Sequence, residues 1–222
     1  KGVDTDGNAG KSDIGSGNGG SRSCLFDHFR LSGNIQIKIV FLQTFKQIMD
    51  TKGKKIILGS NSPRRRELLA GLDIDFIVDT GNNFEEVYSE NTPQEKIPEV
   101  LSEGKSYGFH RTLESDEILI TSDTLVLCKG RVMGKPHSRE EAIDMLRHLS
   151  GKGHYVITAV TVRDSVSVQT VSDTATVYFK ELTYSEIEYY VDKSRPFDKA
   201  GAYGLQEWIG YNGIGTIAGS YC

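Results

Sequence analysis

A chain of 222 residues, 37% of them hydrophobic and 25% charged, is long enough for one substantial core, or a core with a small second lobe, and reads as a soluble globular protein. Its formal net charge of −4 argues against a general coat for nucleic acid or an anionic membrane, partners that ask for a positive surface excess. No run approaches the roughly 20 apolar residues of a membrane-spanning helix, and Cys24, Cys128 and Cys222 fit neither a Cys-x-x-Cys metal site nor a disulfide framework, which makes them reduced structural thiols of a cytoplasmic protein.

Along the chain, residues 1 to about 22 concentrate glycine with Ser, Asn and Asp, a composition that cannot bury enough apolar surface to offset ordering entropy. Residues 23–48 are a more ordinary mixture without signal-peptide architecture. Residues 1–48 are therefore expected to be a disordered or non-native extension, with Met49 one candidate start and a linker or tag remnant the other origins. The domain proper is expected over 49–222. It opens with a strand at Lys55–Gly59, a turn through Ser60-Asn61-Ser62, and a helix over Pro63–Leu72 led by Arg64, Arg65 and Arg66. Ser62 before Pro63 is an N-cap pattern. A helix start with free N–H groups and three guanidiniums suits a phosphate-bearing anion.

Further strands are expected at Phe76–Asp79, Ile118–Cys128, Tyr155–Arg163 and Val168–Phe179, and helices at Glu95–Arg111, Arg139–Leu149 and Thr183–Lys193. The last two strands, joined near Asp164-Ser165, form an antiparallel hairpin, so the pattern is α/β with a mixed sheet. Within the β-rich run, Asp123 is costly to bury without a partner and is a candidate base, or else the cap of a turn. Lys135, in Gly134-Lys135-Pro136, is a candidate cation or a solvated loop residue. In Phe197–Gln206, Gln206 offers a donor and an acceptor that can read a base edge or satisfy a neighbouring backbone group.

Taken together, Leu58–Leu69, Ser122–Val126, Gly134-Lys135-Pro136, Leu149–Thr158 and Asp198–Gln206 form an ordered set that resembles the Maf family of nucleoside triphosphate pyrophosphatases over roughly residues 54–221. The resemblance implies a mixed twisted sheet flanked by helices, like inosine triphosphatases, with an active-site cleft between two lobes. It also implies hydrolysis of a nucleoside triphosphate to the monophosphate and pyrophosphate with Mg²⁺ or Mn²⁺, and a homodimer. Asp123 matches the family's proton acceptor, Lys135 a catalytic cation, and Ser60, Arg64, Arg65 and Lys105 phosphate-binding positions. Glu86, with Asp123, is the candidate metal ligand. Asn83 and Glu85 stand where the family often has aspartates, which leaves the choice between Glu85 and Glu86 open. Arg65, Thr124 and Gln206 match the positions that accompany dTTP and UTP cleavage, the removal of excess or non-standard nucleotides being the expected purpose. A 7-methyl-GTP pyrophosphatase and a nucleotide- or nucleic-acid-binding regulator without turnover are the alternatives. Family members usually continue past Tyr221 into a closing strand and helix, so the domain is also expected to be shortened at its end.

Overall fold

The computed structural model describes residues 51 and 53–219. The expectations about the N-terminal extension, Met49, Cys24, Cys222 and the shortened end fall outside the described residues. Seven strands make one sheet: β1 (Lys55–Leu58), β2 (Phe76–Val78), β3 (Glu117–Cys128), β4 (Arg131–Met133), β5 (Gly153–Arg163), β6 (Val168–Phe179) and β7 (Ile214–Ala218). They lie in the order β2-β1-β3-β5-β6-β7, with β4 also on β3. β1 runs parallel to β2 and β3, and every other pairing is antiparallel. The sheet is mixed, as the hairpin required. Arg163 faces Val168 across that hairpin, and the Asp164 carboxylate accepts the Val166 and Ser167 N–H groups to close its turn.

Among the described residues five α-helices flank the sheet: α1 (Pro63–Ala70), α2 (Ile97–Tyr107), α3 (Arg139–Leu149), α4 (Tyr184–Ser194) and α5 (Trp208–Gly213). Two of the starts carry a side-chain cap. Ser138 accepts the Glu141 N–H at α3, and Thr183 with Glu186 makes a capping box at α4. The expected helix over 95–111 is shorter because Pro98 allows only a first-turn position and Gly108 ends it. Ser62 occupies the N-cap position of α1, but its side chain makes no cap bond; its N–H instead donates to Ser60 Oγ at 3.2 Å.

Alternation along β3 sorts the helices onto two faces. Ile118 and Ile120 pack with Ile56, Leu58 and Leu69 of α1, and Val126 packs on the same face with Ile143 and Leu146 of α3 and Ile187 and Val191 of α4. Leu119 packs the other way with Phe109 and Leu113, and Leu125 with Ile97 and Leu101 of α2. β4, β7 and α5 escape sequence reading. β4 is three residues long, and β7 and α5 carry glycines at 210, 213 and 215 that blur any period.

The link from α2 to β3 is braced by Arg111, which donates to both carboxylate oxygens of Glu117 at 2.6 and 2.9 Å. The Glu114 N–H adds a third bond at 2.9 Å. The Arg111 guanidinium thereby lowers the Glu117 carboxyl to about 2. Because the folded value lies below the unfolded one, this stabilisation is complete above the ordinary carboxyl range and disappears as pH falls toward 2. Glu117→Gln should cost about 1 kcal/mol at neutral pH. Urea titrations at stepped pH should show wild type and variant converging as pH drops from about 4.5 to about 2.

Candidate active site

The sheet forks in the middle of β3. β1 pairs with β3 only as far as Leu58 opposite Ile120, with Gly59 N–H adding one bond to the Ile120 carbonyl, and β4 takes up pairing only at Val126. Between them, residues 121–125 keep β5 as their strand neighbour and leave one edge open. The loops after β1 and β4 both end at this gap, a place where open α/β sheets commonly hold ligands.

Two sets of side chains flank the open edge, one from each face. On the α2 face lies Asp123, its side chain 14% exposed, with Lys105 Nζ at 2.5 Å from Oδ1. The same ammonium is 2.8 Å from Glu86 Oε1. Its hydrogen bond, aided by the charges of Lys135 and Arg65, holds the Glu86 carboxyl below the usual carboxylate range against partial burial. On the α1 face, the Arg65 guanidinium donates to Ser60 Oγ at 3.3 Å and to Thr124 Oγ1 at 3.5 Å. Thr124 also meets Thr158 Oγ1 at 3.1 Å. Burial lowers the Arg65 pKa although Asp123 pulls the other way.

Lys105 is placed by a polar seam under α2. Ser102 Oγ bonds to Thr161 Oγ1 at 2.8 Å and to the Thr121 carbonyl, while Thr121 Oγ1 donates to the Ser102 carbonyl at 2.8 Å. All three residues are fully buried. One turn later Arg163 holds Ser106 through Oγ and carbonyl. Buried hydroxyls demand partners and have only one register in which to find them, so the seam fixes α2 on β3 and β5. The loop carrying Glu86 is tied to the end of the same helix. Asn82 Nδ2 donates to the Lys105 carbonyl at 2.6 Å, its Oδ1 accepts the Phe84 N–H, and Asn83 N–H donates to the Gly108 carbonyl.

The remaining expected residues stand apart. Lys135 is exposed and, among the described residues, makes no hydrogen bond or ion pair, but its loop is pinned by Gly201 N–H on the Gly134 carbonyl at 3.0 Å. Arg64 is half-buried and makes no side-chain hydrogen bond or ion pair among the described residues. Gln206 is exposed and touches none of the groups around Asp123 through a hydrogen bond. Arg66 points away, to Asn61 Oδ1. Glu85, the alternative to Glu86, is exposed and makes no side-chain bond there among the described residues. The stretch Gly151-Lys152-Gly153-His154 is structural: Lys152 Nζ bonds the His148 and Ser150 carbonyls at the end of α3, and His154, pushed down to about 4 by burial, bonds Tyr203 in the core. Asn82, Ser102 and the pair of buried Lys199 with half-buried Glu207 stand out only in the fold. Lys199 alone carried a signal, a lysine inside the small-residue run before Gln206.

The carboxylates of Asp123 and Glu86 are hard oxygen donors of the kind a divalent cation takes. Two carboxylate oxygens already converge on one positive charge, while no group of three or more His, Cys, Asp or Glu gathers among the described residues. Asp123 and Glu86 would hold such an ion, with water and an anionic ligand completing the shell, the pattern typical of Mg²⁺. No helix among the described residues is long and apolar enough to cross a membrane.

A model of the Maf-like protein family matches residues 55–222. The chain is 46% identical over 167 residues to the dTTP/UTP pyrophosphatase of Bacteroides thetaiotaomicron, covering 75% of this chain and 86% of that one. It is 47% identical, with the same coverage, to the protein of that name from Phocaeicola vulgatus. The Christiangramia forsetii dTTP/UTP pyrophosphatase is 45% identical over 170 residues, 77% of this chain and 86% of that one. A solved nucleoside-triphosphatase / dITP/XTP pyrophosphatase from Mycobacterium abscessus aligns over 58% of this chain and 75% of that one at 13% identity with a TM-score of 0.37, too loose a likeness to bear on the site.

Gly201 adopts φ +70°, and a Cβ there would meet Val126 at 3.0 Å. Gly201→Ala combines a left-handed backbone with a packed neighbour. It should lower stability by about 1–3 kcal/mol, read as a fall in melting temperature.

Proposed function

The chain belongs to the Maf family of nucleoside triphosphate pyrophosphatases, and from that premise we propose that it hydrolyses dTTP and UTP to the nucleoside monophosphate and pyrophosphate at the open edge of β3. The observation that carries the reading is the convergence of Lys105, Asp123 and Glu86 on one side of that edge and of Ser60, Arg65 and Thr124 on the other. A triphosphate repels nucleophiles, so its charge must be offset before water can reach phosphorus. Arg65 and Lys105 supply that offset from the two sides of the gap, Ser60 adds a hydroxyl, and Arg64 and Lys135, which stand apart from the gap here, are assigned to the phosphate chain by family resemblance.

Asp123 accepts the proton as the water oxygen bonds to phosphorus, and the bond to the α–β bridging oxygen breaks, its electrons leaving with pyrophosphate. Lys105 keeps the Asp123 carboxylate aimed into the gap. A divalent cation, Mg²⁺ or Mn²⁺, held by Asp123 and Glu86 would add positive charge against the triphosphate and ease ionisation of water. Substrate choice is assigned to Arg65, Thr124 and Gln206. Gln206 carries an amide that can bond the donor and acceptor along a uracil or thymine edge. The names of the relatives support this preference. We take the assembly to be a cytoplasmic homodimer by family resemblance, a point that light scattering checks.

Asp123→Asn should keep the fold and reduce pyrophosphate release by about 10²–10⁴-fold; near wild-type turnover in a folded variant removes Asp123 as the base. Side-by-side assays of dTTP, UTP, CTP and 7-methyl-GTP with Mg²⁺ and with Mn²⁺ should show dTTP and UTP preferred. Preference for 7-methyl-GTP assigns the chain to the other branch. Nucleotide that raises the melting temperature without yielding pyrophosphate makes the chain a binding regulator.

A further inference from the structure

The turn that carries Gln206 hangs on a single phenol. Tyr190, on α4, is fully buried in the core beside Ile187 and Val191, where a phenylalanine would fill the same space without the cost of burying a hydroxyl. That hydroxyl accepts the Gly204 N–H at 3.2 Å and donates to Glu207 Oε2. The other Glu207 oxygen lies 3.0 Å from the buried Lys199 Nζ, which also meets Asp198 at 2.6 Å. The Glu207 N–H returns to the Gly204 carbonyl at 3.1 Å. Both ends of the four-residue turn Gly204–Glu207 are thus held on one oxygen atom, with exposed Gln206 between them. α5 packs closely on the same turn, since a Cβ at Gly210 would fall 1.9 Å from the Leu205 carbonyl oxygen. Gln206 makes no hydrogen bond of its own among the described residues, so the turn beneath it sets the position from which its amide reaches out.

We propose that the Tyr190 hydroxyl is a positioning group for substrate selection: by holding Gly204 and Glu207 together it fixes the turn from which Gln206 meets the pyrimidine edge. The inference rests on the assignment of Gln206 made above. Uracil presents an N–H between two carbonyls where cytosine presents a bare ring nitrogen beside an amino group, so an amide delivered from a fixed turn can match one edge and not the other, a match that is lost when the turn shifts.

The test compares kcat/KM for UTP and CTP in the full chain and in Tyr190→Phe. Both nucleotides sample the same folded molecules, so loss of folded protein cancels from the ratio, which a merely structural role leaves alone. The hydroxyl-free variant should lose about tenfold of the UTP-over-CTP preference, through a raised KM for UTP with kcat within about twofold. Glu207→Gln, which keeps an oxygen for the Tyr190 hydroxyl, should hold the preference within about threefold. If Tyr190→Phe does not fold, Glu207→Ala is read in its place and should show the same loss. An unchanged ratio in the folded variant overturns the inference, as does an equal fall for both nucleotides. A wild-type chain that cleaves neither nucleotide, or treats them alike, overturns the function proposed above and this inference with it, whereas a discriminating wild type beside an equally discriminating variant removes the inference alone.

Discussion

β3 has two neighbours on one edge and five residues that belong to neither. β1 stops opposite Ile120 and β4 begins opposite Val126, so the backbone at 121–125 is bound to β5 on one side and open on the other. An open stretch of strand edge is a liability unless something uses it. Here the strand's own alternation turns it to advantage, because neighbouring residues at an edge project to opposite faces yet remain close to the same gap. Asp123 and Thr124 are adjacent in sequence, and each gathers a different group of polar side chains.

That arrangement is stable only if the helices on the two faces cannot slide. On the α2 face the register is set by hydroxyls rather than by apolar bulk. Ser102, Thr121 and Thr161 are fully buried and bond one another and the backbone, and a one-residue shift would orphan several of them at once. Lys105 lies on the same helix and inherits that precision. It then serves two carboxylates, Asp123 and Glu86, which would otherwise repel across a short distance in a partly desolvated place. The acidic loop follows because Asn82 ties it to the Lys105 carbonyl.

The far end of the sheet is organised by a different rule. Val126, α3 and α4 close an apolar core, and inside it a few polar groups are kept and bonded to one another, although His154 Nδ1 finds no partner among the described residues. His154 meets Tyr203, and both rings pack edge-on against Phe179. Tyr190, Glu207 and Lys199 form the second such group. These contacts fasten the segment from Asp198 to Glu207 to the core without placing those groups at the gap. Gly201 joins this segment to the loop of Lys135 through the Gly134 carbonyl, so two stretches far apart in sequence are tied together.

The sequence by itself determined the element types and their alternation, since apolar period, caps and prolines act over a few residues: the hairpin at Asp164, the bounds of α3, and the strand-turn-helix from Lys55 through Arg65 could all be read there. The order of motifs likewise determined the family. Tertiary structure alone decided which charged residues meet. Helix geometry alone turns Arg66 away from the arginines before it, but only the fold shows that Arg65 reaches Thr124 and that Arg66 ends on Asn61. Glu86 rather than Glu85 meets Lys105 because Asn82 fixes the path of its loop. Tyr190 gave no local signal among ten tyrosines, since a residue that works by holding a distant turn is recognised only when that turn is folded against it.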